Sequence, residues 1–199
     1  MLSTLRPIIK SITFENEISP LCDSLGCLDI SASGNGAVMA YSVVNDLDSD
    51  FYDVFIQSDT QLYANQNMST WFSELINLEK INGIELLDTS MTTDMSYMFN
   101  NINIFSSVSG VKYNLSELDL SSFDTSNVTD MTGMFACVGL TSSTFALDVS
   151  NFDTSNVNKM GLMFLYAGAL GETLDIDVSN FDTSSVTDME AMFCYFGLN

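Results

Sequence analysis

Apolar residues keep fixed places in three successive stretches: LDLSSFDTSNVTDMTGMF (118–135), LDVSNFDTSNVNKMGLMF (147–164) and IDVSNFDTSSVTDMEAMF (176–193). Equivalent positions recur every 29 residues, as at Asp119, Asp148 and Asp177. Each stretch opens with a period-two alternation, Leu118 and Leu120 against Asp119 and Ser121. That pattern predicts a short strand with leucine inward and aspartate and serine outward. Val128, Met131 and Phe135 follow at spacings of 3 and 4, with Met134 beside them. This spacing predicts a short helix buried along one face. Asp124-Thr125-Ser126 ahead of it supplies an N-cap. Gly139, Gly168 and Gly197 stand four residues past each final Phe, where a left-handed C-terminal cap wants glycine. A strand, a turn, a short helix and a return per period predict one coil of an α/β solenoid, each coil resting on its neighbours.

Fainter copies precede these three. DTSMTTDMSYMF (88–99) aligns without a gap to 124–135, with Asn103 in place of the cap glycine. The spacing from Phe99 to Phe135 is 36, so a seven-residue insertion lies in the stretch that follows Phe99. Met68, Trp71 and Phe72, with Leu75 and Leu78, predict an entry coil. Residues 1–66 have another texture. Runs at 36–44, 51–57 and 61–64 are β-like, and Ser58-Asp59-Thr60 between the last two is a turn signal. These runs predict a small antiparallel sheet capping the apolar end of the coils. The expected organisation is a β-rich capping region at 1–66 and about four coils at 67–199, open at the C-terminal end. The strand expected near Val178 is then an unpaired edge, with Phe193 and Phe196 poorly covered. Continuation of the natural chain or end-to-end self-association is the expected consequence.

Charge narrows the partners. The 199 residues carry 5 basic and 26 acidic side chains, a net charge of −21. Nucleic acid is excluded, because its phosphates need Lys and Arg. Anionic membrane surfaces are disfavoured, and a cation or a basic partner is favoured. No run approaches the apolar length of a transmembrane helix, and 1–17 lacks a signal-peptide core of useful length.

Candidate chemistry is sparse. With 0 histidines, Ser-His and Cys-His nucleophile arrangements are absent. No phosphate-binding glycine motif and no nucleophile elbow occurs. Carboxylates that repeat at 29 residues share one environment, whereas a glycosidase needs two distinct ones. The chain therefore reads as no enzyme, with no cofactor and no dedicated metal site. The aspartate ladders read first as caps, with weak Ca²⁺ or Mg²⁺ binding as the alternative. In the ladder Asp130, Lys159, Asp188 a cation separates two acids. Cys137 and Cys194 lie about two coils apart, roughly 10 Å on strand spacing, too far for a disulfide. They read as small core residues. Cys22 and Cys27 are near enough in sequence to be joined or to remain free.

The unit LDLSSFDTSNVTDMTGMF resembles the repeat of BspA-like and mycoplasma-type bacterial surface proteins of the leucine-rich-repeat class. SGNGAVMAYSV, followed by FYDVFIQSDTQLYAN, resembles the segment that precedes such repeats. The resemblance covers most of 30–199. It implies a right-handed leucine-rich-repeat-like α/β solenoid, display at the cell surface or outside the cell, adhesion, and no catalytic residues. The expected function is a binding module for a protein or glycan ligand. A purely structural spacer or self-assembling element is the alternative. Sequence variety lies in 105–116, 136–146 and 165–175, which favours recognition by those loops. Candidate ligand-binding residues are Tyr166 and Tyr195, which share one position of the repeat, and the exposed strand-face ladder Asp119, Asp148 and Asp177.

Overall fold

The computed structural model describes residues 8–20, 22–31, 36–102, 115, 117–140, 145–170 and 176–197. Residues 103–114, which hold most of the stretch with the expected insertion and include Asn103, lie outside them, as do 171–175 of the variable loop, Leu198 and Asn199.

Strand β1 (Ile9–Glu15) buries Ile9, Ile12 and Phe14. It lies inside a five-stranded sheet with β2 (Leu28–Asp29), β3 (Met39–Val44), β4 (Tyr52–Gln57) and β6 (Lys80–Asn82). Their order is β2-β3-β4-β1-β6. The β2–β3 and β3–β4 pairs are antiparallel, whereas β1 runs parallel to both β4 and β6. The sheet is thus mixed, and the antiparallel cap expected from the sequence is corrected. The reason is the first repeat unit: the chain passes through it and returns as β6 to pair with β1. The return is tight. Gly83 has φ +70°, and a Cβ there would meet the Phe14 carbonyl oxygen at 2.3 Å, so only glycine fits. Strand β5 (Leu62–Tyr63) pairs in parallel with β7 (Leu87–Asp88). Between β1 and β2 a four-residue helix α1 (Cys22–Leu25) is closed by the Cys22–Cys27 disulfide, with Cα atoms 5.1 Å apart.

The expected right-handed leucine-rich-repeat-like α/β solenoid, with one helix per coil, does not form. None of the described residues of the three clear copies at 118–135, 147–164 and 176–193 is helical; within 67–199 the described residues hold only the three-residue 3₁₀ turn Ile84–Leu86, and α1 lies before the coils. In the three clear copies the strands of the described residues are the two-residue parallel pair β8 (Glu117–Leu118) and β9 (Ala146–Leu147), and residues 176–178 are not in a strand. The segment with helical spacing is instead a ribbon of consecutive turns. Met134 N–H donates to Met131 O at 3.2 Å, and Val138 N–H to Phe135 O at 3.2 Å. The third residues of these two turns, Gly133 and Cys137, have φ +61° and +59°, as a type II turn requires.

Alternate amides of the ribbon leave the unit altogether. Met131, Gly133, Phe135 and Cys137 N–H donate to the carbonyls of Lys159, Gly161, Met163 and Leu165 at 2.7–2.9 Å. An α-helix would satisfy those donors internally, and the units would then meet through side chains alone. Here each unit is bonded to the next along its backbone, and isolated parallel bridges join Asn67, Asp94, Asp130, Lys159 and Asp188 in series.

Side chains follow the same register. Phe72, Phe99, Phe135, Phe164 and Phe193 form one column with successive ring centroids 5.2, 5.8, 5.7 and 5.3 Å apart. Met68, Met95, Met131 and Met160 are fully buried beside it. At the sheet end Phe14 meets Phe72 edge-on at 6.3 Å, so one apolar core runs from β1 through the repeats. The hydroxyls of Thr125 and Thr154 are buried, and each donates to the carbonyl of the next unit's aspartate, Asp153 or Asp182, at 3.1 Å.

Candidate functional site

A row of left-handed residues crosses all the units: Glu74, Asn101, Cys137, Tyr166 and Tyr195, with φ between 56° and 63°. A non-glycine residue in this conformation is disfavoured by about 1–2 kcal/mol. Each of the first four is held there by a hydrogen bond from its backbone N–H to the following unit, for example Tyr166 N–H to Cys194 O at 3.0 Å. The consequence is chemical: a backbone position that recurs in register puts its side chains in a row.

The row changes character along its length. Asn101 Nδ2 donates to Glu74 Oε1 at 2.8 Å. Cys137 is half-buried, and burial together with Glu74 pushes its thiol pKa up. Tyr166 and Tyr195 then stack with ring centroids 4.6 Å apart and planes 8° apart. Their exposures are 39% and 50%, so the pair is tightly ordered yet available. Desolvation raises the Tyr166 phenol, with smaller contributions from Tyr195, Cys194 and Cys137. The Tyr166 ring therefore stays neutral near pH 7, and the two rings form apolar plates with a hydrogen-bonding rim. Beside Tyr166 lies a depression of about 340 Å³ lined by Cys137, Leu140, Ala169 and Leu170. Leu170 is 69% exposed.

Of the expected site residues, the structure brings Tyr166 and Tyr195 into contact. Leu140, Ala169 and Leu170 were not singled out, but they lie in the variable loops 136–146 and 165–175, just after the recurring glycine. Asp119, Asp148 and Asp177 are exposed, as the strand alternation implied. Each accepts the N–H of the serine two residues on, at 3.0, 2.8 and 2.8 Å, closing a small side-chain-to-backbone turn. Those serine contacts hold all three carboxyls below the usual 3.8. No hydrogen bond or ring contact among the described residues joins them to the tyrosines. Asp124, Asp153 and Asp182 do the same for Ser126, Ser155 and Ser184, so they cap turns where helix N-caps were expected. Among the described residues no group of three His, Cys, Asp or Glu side chains is placed to hold a metal ion. Cys194 is half-buried like Cys137, so neither is the core residue expected, and both are free thiols.

A second cavity, of about 580 Å³, opens at the sheet end against Glu15, Glu17, Tyr41, Gln57 and Glu85. Glu15 already accepts from Gln57 Nε2. Burial and the Glu15 charge raise the Tyr41 phenol.

No described helix is long and apolar enough to cross a membrane. No curated protein and no solved structure gives a significant match to the chain. The family described as "Mycoplasma protein of unknown function, DUF285" matches residues 56–116 and 103–196, which takes in every repeat unit and the strand that leads into them. On that span, most of the chain, the protein belongs to the DUF285 family.

Proposed function

We propose that this chain is a non-catalytic binding module of a bacterial surface protein, engaging a protein or glycan ligand through the side that carries Tyr166 and Tyr195. One observation carries the reading: two parallel, half-exposed tyrosines sit beside an apolar depression, on backbone that inter-unit hydrogen bonds hold rigid. Tyrosine gives contact area at small entropic cost, because only two side-chain torsions are fixed. A flat aromatic face suits a sugar ring or a partner's apolar side chain equally. The resemblance of the repeat to BspA-like surface proteins supports display outside the cell. So does the Cys22–Cys27 disulfide, since such bonds persist mainly in oxidising compartments. The net charge of −21 and the 0 histidines support a partner other than nucleic acid and a role other than catalysis.

The test is a glycan array and a pull-down from host or community extract with wild type and Tyr166→Ala/Tyr195→Ala. Binding by wild type that the double variant loses supports the reading. Equal binding by both moves the site elsewhere. A uniform set of aspartate turns along the units favours a second reading, a spacer that holds other domains apart; absence of any captured ligand would favour it.

A further inference from the structure

The Tyr166 ring face alone suits a sugar or an apolar side chain; the depression beside it separates the two. Cys137, Leu140, Ala169 and Leu170 line it with Tyr166. The only side-chain groups among these five that form hydrogen bonds are the Tyr166 hydroxyl and the Cys137 thiol. Four of the backbone amides are already used. Cys137 N–H donates to Leu165 O at 2.7 Å, Tyr166 N–H to Cys194 O at 3.0 Å, Ala169 N–H to Tyr166 O at 3.2 Å and Leu170 N–H to Leu140 O at 2.8 Å. A sugar seated there would press its hydroxyls against Leu140, Ala169 and Leu170. Each hydroxyl stripped of water without a new partner weakens binding. An apolar side chain carries no such penalty. Leu170, 69% exposed beside the half-exposed Tyr166, is itself apolar surface that gains from being covered.

Charge enters further along the same row. Back from Tyr166 the row passes through Cys137 and Asn101 to Glu74, which is exposed. One carboxylate oxygen of Glu74 accepts from Asn101 Nδ2 at 2.8 Å, and among the described residues no basic side chain pairs with it. Burial and then the Glu74 charge raise the Cys137 thiol, so that charge is felt at the edge of the depression. Neither the row nor the lining contains Lys or Arg. Stacked units repeat at about 4.8 Å, so the three steps from Tyr166 to Glu74 span roughly 14 Å. An extended polypeptide covers that distance in about four residues.

From this we propose that the tyrosine-side site takes an extended segment of a partner protein. An apolar side chain such as Leu, Met or Phe fills the depression against Tyr166 and Leu170. A Lys or Arg about four residues along the segment pairs with Glu74. The inference rests on the tyrosine-side reading above and adds to it the class of ligand and its pattern. The apolar anchor supplies most of the affinity, because it is the part that is desolvated. The ion pair stays wet and sets the register of the segment more than its strength. Hydrogen bonds between units hold the row, so the ligand meets a preformed surface and orders only itself.

The experiment uses the full chain and an array of Gly/Ser-rich peptides, each carrying one Leu or Phe and one Lys. Their separation runs from adjacent to about twice the expected spacing, in both chain orders. Peptides with the apolar residue alone, with Lys alone, or with Glu in place of Lys are the controls, and a glycan array is probed with the same protein. The expected result on wild type is binding that peaks at a separation of about four residues and weakens as salt rises. Leu170→Ser, at an exposed position, should weaken every bound peptide about tenfold or more. Glu74→Gln, which keeps an acceptor for Asn101, should weaken the Lys peptides about two- to fivefold and abolish the preferred separation. Both variants should keep the wild-type thermal midpoint, and the separation dependence needs wild type only. Binding that ignores the separation or the Lys charge, or that survives Leu170→Ser unchanged, overturns the proposal. Capture of glycans in place of peptides, lost in Tyr166→Ala/Tyr195→Ala, overturns it and leaves the tyrosine-side reading standing. Binding of neither overturns both.

Discussion

Replacing Phe135 by alanine tests whether the repeats act as one packed column. Phe135 is fully buried, stacked on Phe99 at 5.8 Å and Phe164 at 5.7 Å, and tilted against Phe152 at 6.2 Å. Full burial of such a ring is worth about 1.5–3 kcal/mol by transfer alone. Removal leaves a cavity between two rings whose spacing is fixed by inter-unit hydrogen bonds on both sides. The site therefore collapses little, and the expected loss is about 3–5 kcal/mol, the range for a buried Phe→Ala. Phe193 supplies the internal comparison. It occupies the same repeat position, touches Phe164 on one side only, and is 44% exposed. About half the burial and no enclosed cavity give an expected loss of about 1–2 kcal/mol. Urea unfolding of wild type, Phe135→Ala and Phe193→Ala, read by circular dichroism, measures both. A chain of this kind is stable by about 5–15 kcal/mol in total, so the inner substitution should move the midpoint far and the outer one modestly. Equal midpoint shifts for the two variants would refute a column whose members are buried by their neighbours.

Three further outcomes follow from single contacts. Gly133→Ala should destabilise by about 1–3 kcal/mol: a Cβ there meets the Tyr97 ring at 2.3 Å, while Leu162 and Ala191 occupy the same left-handed position without glycine. Adding Tyr97→Ala should recover most of that loss, and thermal melts of the double-mutant cycle that prove additive would discard the clash as the cause. Thr125→Val should cost about 1–3 kcal/mol, and more than Thr154→Val. The Thr125 hydroxyl both donates to Asp153 O and accepts from Asp153 N–H at 2.8 Å, and only the donated bond is seen at Thr154; a reversed order in chemical denaturation would contradict the assignment. Serine contacts lower the carboxyls of Asp88, Asp119, Asp148, Asp153, Asp177 and Asp182 below their ordinary 3.8. Depressed values stabilise the fold above pH 3.8 and lose that effect as pH falls through them. Urea midpoints should therefore be level down to about pH 4 and drop below it; a midpoint at pH 2 equal to that at pH 5 would refute the linkage.

Much of the register was legible in the sequence, and the local conformation was not. The 29-residue period placed Leu118, Phe152, Met131 and Phe164 in the core, because burial depends on which residues recur. It also put Tyr166 and Tyr195 at one position, and the structure stacks them. The helix failed because spacings of 3 and 4 do not distinguish a helix from consecutive turns that return an apolar residue to the same side. What separates the two is the backbone of Tyr97, Leu162 and Tyr166 in a left-handed conformation. These residues rarely adopt it, and their bonds run to another unit, so a reading within one unit has no access to it. Gly139 and Gly168 were read as helix caps; their φ of +57° and +60° has the expected sign but serves the turn ribbon. The parallel β1–β6 pairing was hidden for a related reason: Ile9–Glu15 and Lys80–Asn82 are joined only after the first unit has intervened.

The same backbone arrangement explains how so acidic a chain tolerates its ladders. Stacked units bring equivalent carboxylates close, and like charges about 5 Å apart repel by roughly 3 kcal/mol at an effective dielectric of 20 but by under 1 kcal/mol in water. The fold takes the second case for most of them. Asp148 and Asp177 stay exposed, and each uses one oxygen to hold a serine N–H within its own unit. In that arrangement each charge is met locally by a backbone dipole. Where an acid is less exposed, the sequence changes. Burial alone would raise the Asp130 carboxyl, yet Lys159, with Nζ 2.8 Å from Asp130 Oδ2, and Thr132 together bring it below the usual value. Gly161 leaves the space beneath Asp188, whose carboxylate oxygens lie 3.2 Å from where a Cβ would sit. The exception in an otherwise uniform repeat, one lysine in a line of acids, thus falls beside an acid that is less exposed than Asp148 or Asp177.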